Sequence, residues 1–161
     1  MDYNLCSLSF TEFRNVNKIP DGLRNKVLQL YIESFQAYPW TYSDFIEHYV
    51  KDHSCYLCYS NKKVVGALFG KVFKNMDITE YVKWENDKWF HISYIAVDEQ
   101  LQHRGIGSKL LNILEDNLIG TKFNTIHLFC ECDKLNFYKR NGFRILTICF
   151  GVCQMIKEIH N

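Results

Sequence analysis

At 161 residues, with 47% hydrophobic and 23% charged side chains, the chain has the size and composition of a single globular domain, 1–161, and of neither a disordered nor a fibrous protein. Nineteen basic against eighteen acidic residues leave a net charge of +1, which removes the electrostatic case for a nucleic-acid partner. No stretch reaches the roughly 18 to 20 uninterrupted apolar residues of a membrane span, and Met1-Asp2-Tyr3-Asn4 lacks the basic-then-apolar order of a signal peptide. A cytoplasmic protein with no membrane partner is expected. The seven cysteines, an odd number in a chain able to bury a core, fit reduced thiols.

In chain order, Tyr3 to Phe10 alternates raggedly and reads as an opening strand. After Pro20-Asp21-Gly22, Leu23, Val27, Leu30, Tyr31, Ser34 and Phe35 recur at three and four, which draws one helical face ending near Gln36. Pro39-Trp40 interrupts, and Thr41 to Asp44 offers a cap for a short helix carrying Phe45, Ile46 and Tyr49. Cys55 to Tyr59 and Val64 to Phe73 form a hairpin about Asn61-Lys62, with Gly66 and Gly70 marking a bulge or a close backbone approach. Residues 74–88 are mixed and polar, readable as an excursion, a lid or a second hairpin. Phe90 to Val97 is an apolar strand that runs into a glycine-bearing turn and a helix from about Gly105 to Ile119. Thr125 to Cys132 reads as a buried strand, Lys134 to Asn141 as a helix stopped by Gly142, and Phe143 to Ile156 as one or two closing strands. Hairpin strands followed by strands separated by helices predict an α/β fold with a mixed sheet covered by helices.

The chemistry concentrates between Val97 and Lys109. Consecutive backbone N–H groups at a helix start, bared where glycine has no side chain, make a nest for phosphate oxygens, assisted by the positive end of the helix. The spacing is neither a Walker loop nor the three-glycine dinucleotide fingerprint, which disfavours ATP and NAD.

Gln102-His103-Arg104-Gly105-Ile106-Gly107 resembles the Q/R-x-x-G-x-G/A signature of the GNAT superfamily of acyl-CoA-dependent N-acyltransferases, and Phe137-Tyr138-Lys139-Arg140-Asn141-Gly142-Phe143 is similar to its late F/L-Y-x-x-x-G-F element. The resemblance covers Phe90 through Phe143. It implies a mostly antiparallel mixed sheet of six or seven strands with about four helices, and acetyl-CoA as co-substrate. It also implies that the strand end Ile95-Ala96-Val97 meets the pantetheine arm, with backbone groups of Ile95 and Val97. Gln102, His103, Arg104, Gly105, Ile106, Gly107 and Ser108 would hold the pyrophosphate. Lys109 reads as a solvated helix residue.

Direct transfer from a thioester to an amine needs a neutral amine, a polarised carbonyl and an acid for the leaving thiolate. The resemblance implies Tyr138 as that acid, against a tyrosine that merely packs. His91-Ile92-Ser93-Tyr94-Ile95-Ala96-Val97 resembles the H-I-H-V-L-A-V strand of aralkylamine acetyltransferases; His91 takes the place of the first histidine and Ser93 that of the second. His91 is the candidate base, with a satisfied histidine near the surface as the competing reading, and Glu80, Glu85 and Glu131 are fallback carboxylates. Cys130 and Cys132 read as buried packing thiols, and Cys55-x-x-Cys58 faces both sides of its strand, so no metal is expected. Tyr38, Trp40 and Tyr94 are candidate acceptor-binding residues; Tyr38, Trp40, Tyr42 and Phe45 read either as an acceptor wall or as helix packing. The acceptor reads as a small primary amine, an arylalkylamine or an amino-sugar phosphate. Protein or peptide N-terminal acetylation and a non-catalytic acyl-CoA sensor are the alternatives. Family members are often homodimers, although no feature of the sequence predicts one.

Overall fold

The structure, a computed structural model, describes residues 8–35, 41–48, 50–72 and 88–160. Tyr38, Trp40, Glu80, Trp84, Glu85 and most of the expected opening strand lie outside them. In chain order the elements are β1 (Ser9–Phe13), α1 (Asp21–Phe35), α2 (Tyr42–His48), β2 (Ser54–Ser60), β3 (Lys63–Val72), β4 (Trp89–Val97), α3 (Ile106–Leu118), β5 (Thr125–Glu131), α4 (Leu135–Arg140), β6 (Arg144–Cys149) and β7 (Val152–Glu158). The seven strands form a mixed sheet of order β1-β2-β3-β4-β5-β7-β6, in which β4 and β5 run parallel. With four helices this is the expected α/β architecture.

The chain divides into two compact units, one drawn from residues 1–70 and 94–112, the other from 71–93 and 113–161. In the first, α1 and α2 fold where the sequence supplies a face and a cap. Thr41 Oγ1 accepts from Asp44 N at 3.1 Å and donates to the Asp44 carboxylate at 2.8 Å, closing a reciprocal cap at the start of α2. Val27, Leu30, Tyr31 and Phe45 join Leu57, Ala67, Phe69 and Ala96 in one buried cluster. Phe45 is fully buried, so it packs the core rather than lining a pocket. Between β2 and β3 the register shifts from Cys58, paired with Gly66, to Tyr59, paired with Val64, which leaves Val65 as the extra residue of a bulge next to Gly66. Gly66 also marks a close approach: a Cβ there would meet Ile106 Cγ2 at 2.9 Å.

In the second unit, β5 pairs with β7 antiparallel from Thr125↔Glu158 to Glu131↔Val152, and β6 closes on β7. The closing segment is thus two strands, joined by a turn in which Phe150 and Gly151 take positive φ. The strand expected to reach Cys132 stops at Glu131, because Cys132 opens a 3-10 turn (Cys132–Lys134) into α4. Gly142, at φ 85°, terminates α4 as read from the sequence.

Candidate functional site

In the first unit the end of β4 and the start of α3 build a turn with exposed backbone. Asp98 anchors its base. Its amide donates to Val65 O at 2.9 Å. Its carboxylate accepts from Gln100 N at 3.0 Å and from Lys63 Nζ at 2.6 Å. Gln102 Nε2 donates back to Val97 O at 3.3 Å. The chain then turns through His103 at φ 61° and Gly105 at φ 83°, conformations that glycine adopts without strain and other residues rarely take. The bond Lys109 N→Gly105 O closes the first turn of α3. Ahead of it, the amides of Ile106, Gly107 and Ser108 have no partner within the helix and point out of its positive end.

Two further features suit an anion here. No acidic residue stands in the first turn of α3, and Gln102, His103, Arg104 and Gly105 are all exposed. A Cβ at Gly105 would meet nothing within 4 Å, which leaves room beside its backbone. These are the donor geometry and open space that a pyrophosphate requires, so the residues fit coenzyme A. Ile106 is buried and serves the helix with its side chain; Lys109 is exposed, as expected of a solvated residue. The side chain of Ala96 belongs to the core, while Ile95 and Val97 are partly buried.

Tyr94, on β4, packs its ring edge-on to Tyr31 at 5.1 Å and to Phe35 at 5.3 Å between centroids. Tyr94 is partly buried and Phe35 is exposed. Arg24 stacks over Tyr42, whose hydroxyl donates to Val16 O at 3.2 Å.

In the second unit His91 is buried, not near the surface, and its Nδ1 lies 2.9 Å from Nδ1 of His127. The two stand directly across the parallel β4–β5 pair. His127 Nε2 lies 2.9 Å from Gln154 Nε2 on β7, and the Trp89 ring stacks on His127 at 5.5 Å. Burial holds the His127 imidazole down to about 4, so it stays neutral at physiological pH. His127 and Gln154 are absent from the sequence reading. A polar residue inside the apolar run Thr125 to Phe129 was the available signal, but only the strand register identifies its partner.

Tyr138, on α4, is buried against Phe137 and Phe143. Burial pushes its phenol well above the usual value and the neighbouring Cys130 adds to the effect, so it holds its proton. Glu131 is exposed. Cys132 is exposed as well, and the expectation of a buried packing thiol is corrected there, because the residue opens the turn beyond β5 instead of continuing the strand. Cys55 and Cys58 are both buried, and burial raises both thiols. Among the described residues no cluster of three His, Cys, Asp or Glu could hold a metal, and no helix is long and apolar enough to cross a membrane.

A family profile described as "Acetyltransferase (GNAT) family" matches residues 23–143, about three quarters of the chain. A sequence search of curated proteins gives no match. Among solved structures, the chain is similar to the ribosomal-protein-S18-alanine N-acetyltransferase of Escherichia coli, with TM-score 0.69, 17% identity, and 96% of this chain and 95% of that one covered. It is similar to an aminoglycoside 6'-N-acetyltransferase complexed with coenzyme A, with TM-score 0.70, 14% identity and coverage of 95% and 98%. It is also similar to a GNAT family acetyltransferase from Elizabethkingia anophelis with acetyl-CoA bound, with TM-score 0.64, 17% identity and coverage of 94% and 98%.

Proposed function

Since the chain belongs to the GNAT family of acyl-CoA-dependent N-acetyltransferases, we propose that it acetylates the primary amine of a small aromatic or apolar molecule by direct attack within a ternary complex. The observation that carries the cofactor half of this reading is the start of α3: exposed turn, positive φ at Gly105, no acid in the first turn, and three outward amides. Bound there, acetyl-CoA supplies an acetyl group activated as a thioester. The amides of Ile106, Gly107 and Ser108, with the turn Gln102 to Gly105, hold phosphate oxygens, and backbone groups of Ile95 and Val97 orient the pantetheine arm.

Tyr138 keeps its proton at neutral pH and donates it to the departing sulfur. His91 takes the proton that the amine must lose, and its contact with His127 fixes the plane of its ring. The exposed Phe35 beside the partly buried Tyr94 favours an aryl or apolar acceptor over an amino-sugar phosphate. The family match runs through both compact units, which supports reading 1–161 as one acetyltransferase domain. Thiol-rich chemistry supports a reducing, cytoplasmic setting.

The test is calorimetric titration with acetyl-CoA followed by a mass-spectrometric screen of amines that includes arylalkylamines, amino-sugar phosphates and peptides with free N-termini. Acetyl-CoA binding with acetylated arylalkylamine is the expected result. Binding without product from any amine would favour a sensor, product only from peptides would move the acceptor to protein N-termini, and absence of binding would sink the reading.

A further inference from the structure

At the β5–β7 end of the second unit, two thiols of the sheet and one of the turn that follows β5 come together. Cys130 and Cys153 are direct partners in the antiparallel register, and Cys132 follows two residues beyond Cys130. The register alone would pair Cys130 with Cys153. The side chains choose otherwise: Cys130 Sγ leans to Met155 Sδ at 3.7 Å, while Cys132 Sγ stands 3.0 Å from Cys153 Sγ, nearer than ordinary sulfur contact. Cys132 Sγ is also 3.3 Å from Gly151 O in the β6–β7 turn, so three elements meet at one thiol. Exposure differs sharply across the pair, since Cys132 is exposed and Cys153 is fully buried.

We propose that Cys132 and Cys153 form a dithiol that peroxides oxidise to a disulfide, Cys132 reacting first and Cys153 closing the bond. The exposed Cys132 thiolate attacks one oxygen of the peroxide; the O–O bond breaks, Cys132 becomes a sulfenic acid, and hydroxide leaves to be protonated as water. The Cys153 sulfur then attacks the Cys132 sulfur; the S–S bond forms, the S–O bond breaks, and the departing hydroxide takes up the Cys153 proton as a second water. Closing a bond of about 2.05 Å from the present separation needs roughly an ångström of approach, within reach of side-chain rotation. Cys132 opens the 3-10 turn that leads into α4, so the disulfide ties the entrance of the Tyr138 helix to β7.

This inference does not depend on the acetyltransferase reading, and its test needs no activity. The reduced protein is treated with one equivalent of hydrogen peroxide, blocked with an alkylating agent and mapped by peptide mass spectrometry. Two of the seven thiols should disappear, with Cys132 and Cys153 joined in one peptide pair that dithiothreitol releases. Cys132→Ser, at an exposed position, should abolish the link with the fold kept by circular dichroism, and Cys149→Ser should leave it intact. A Cys130–Cys153 link, or Cys132 driven to sulfinic acid with Cys153 still free, would overturn the proposal.

Discussion

Gly66 supports the start of α3 by having no side chain, and Gly66→Ala measures how much depends on that. An added Cβ would lie 2.9 Å from Ile106 Cγ2 and 3.3 Å from both Leu110 Cδ1 and Cys58 Cβ. The first distance cannot stand, and Ile106 and Leu110 are both buried with little room to retreat. Overpacking of this kind costs about 1–3 kcal/mol. The backbone entropy that alanine saves over glycine returns about 0.5–1 kcal/mol. A net loss of about 1–2 kcal/mol should lower the melting temperature by about 2–8 °C for a chain of this length. Because Ile106 is the first residue of α3, the same displacement moves the outward amides, and coenzyme A affinity should fall with stability. A double-mutant cycle isolates the contact. Ile106→Leu removes the Cγ2 branch at nearly constant volume, so the cost of Gly66→Ala should shrink by about 0.5 kcal/mol or more in that background. Urea unfolding of the four proteins reads the coupling. Equal cost in both backgrounds, or no cost at all, would show that β3 and α3 are not in the tight contact on which the argument rests.

Tyr138→Phe should lower kcat by roughly 10²- to 10⁴-fold with coenzyme A affinity held, the range of a lost general acid; full turnover by the phenylalanine variant removes Tyr138 from the chemistry. Gly105→Ala should weaken coenzyme A binding about tenfold, because a positive φ costs a residue with Cβ about 1–2 kcal/mol although the space beside it is open; calorimetry showing unchanged affinity would contradict the loop assignment. Burial lowers His127 from 6.5 to about 4, so between those values the unfolded chain binds a proton that the folded chain refuses. Stability from this group is therefore full above pH 6.5 and is lost as pH falls toward 4, by roughly 3 kcal/mol in all. Urea midpoints at pH 7 and pH 5 should converge in His127→Asn, and a wild-type midpoint independent of pH across that interval would refute the assignment.

The parts of the fold that were legible from sequence are those whose signals are local. Apolar spacing from Leu23 to Phe35 and the Thr41–Asp44 cap placed α1 and α2 to within two residues, because a helix writes its period and its start into adjacent positions. The hairpin of β2 and β3, the strand before the glycine turn and the stop at Gly142 follow for the same reason. Ends of elements were less legible. Cys132 is as compatible with a strand as Cys130, and only the turn that it opens decides that β5 has finished.

The site divides along the same line. Gly105 could be read because its role is conformational and belongs to one residue in one turn. His127 could not, because its meaning comes from lying opposite His91 in a parallel register that no run of adjacent residues encodes. The thiols make the point more sharply, since even the register is insufficient there: it pairs Cys130 with Cys153, yet side-chain direction brings Cys132 to Cys153 instead. Groups that act alone through backbone geometry are therefore visible in sequence, whereas groups that act as pairs across strands become visible only once strand order, register and rotamer are all fixed. The glycine turn before α3 belongs to the first kind; the His91–His127 and Cys132–Cys153 pairs belong to the second.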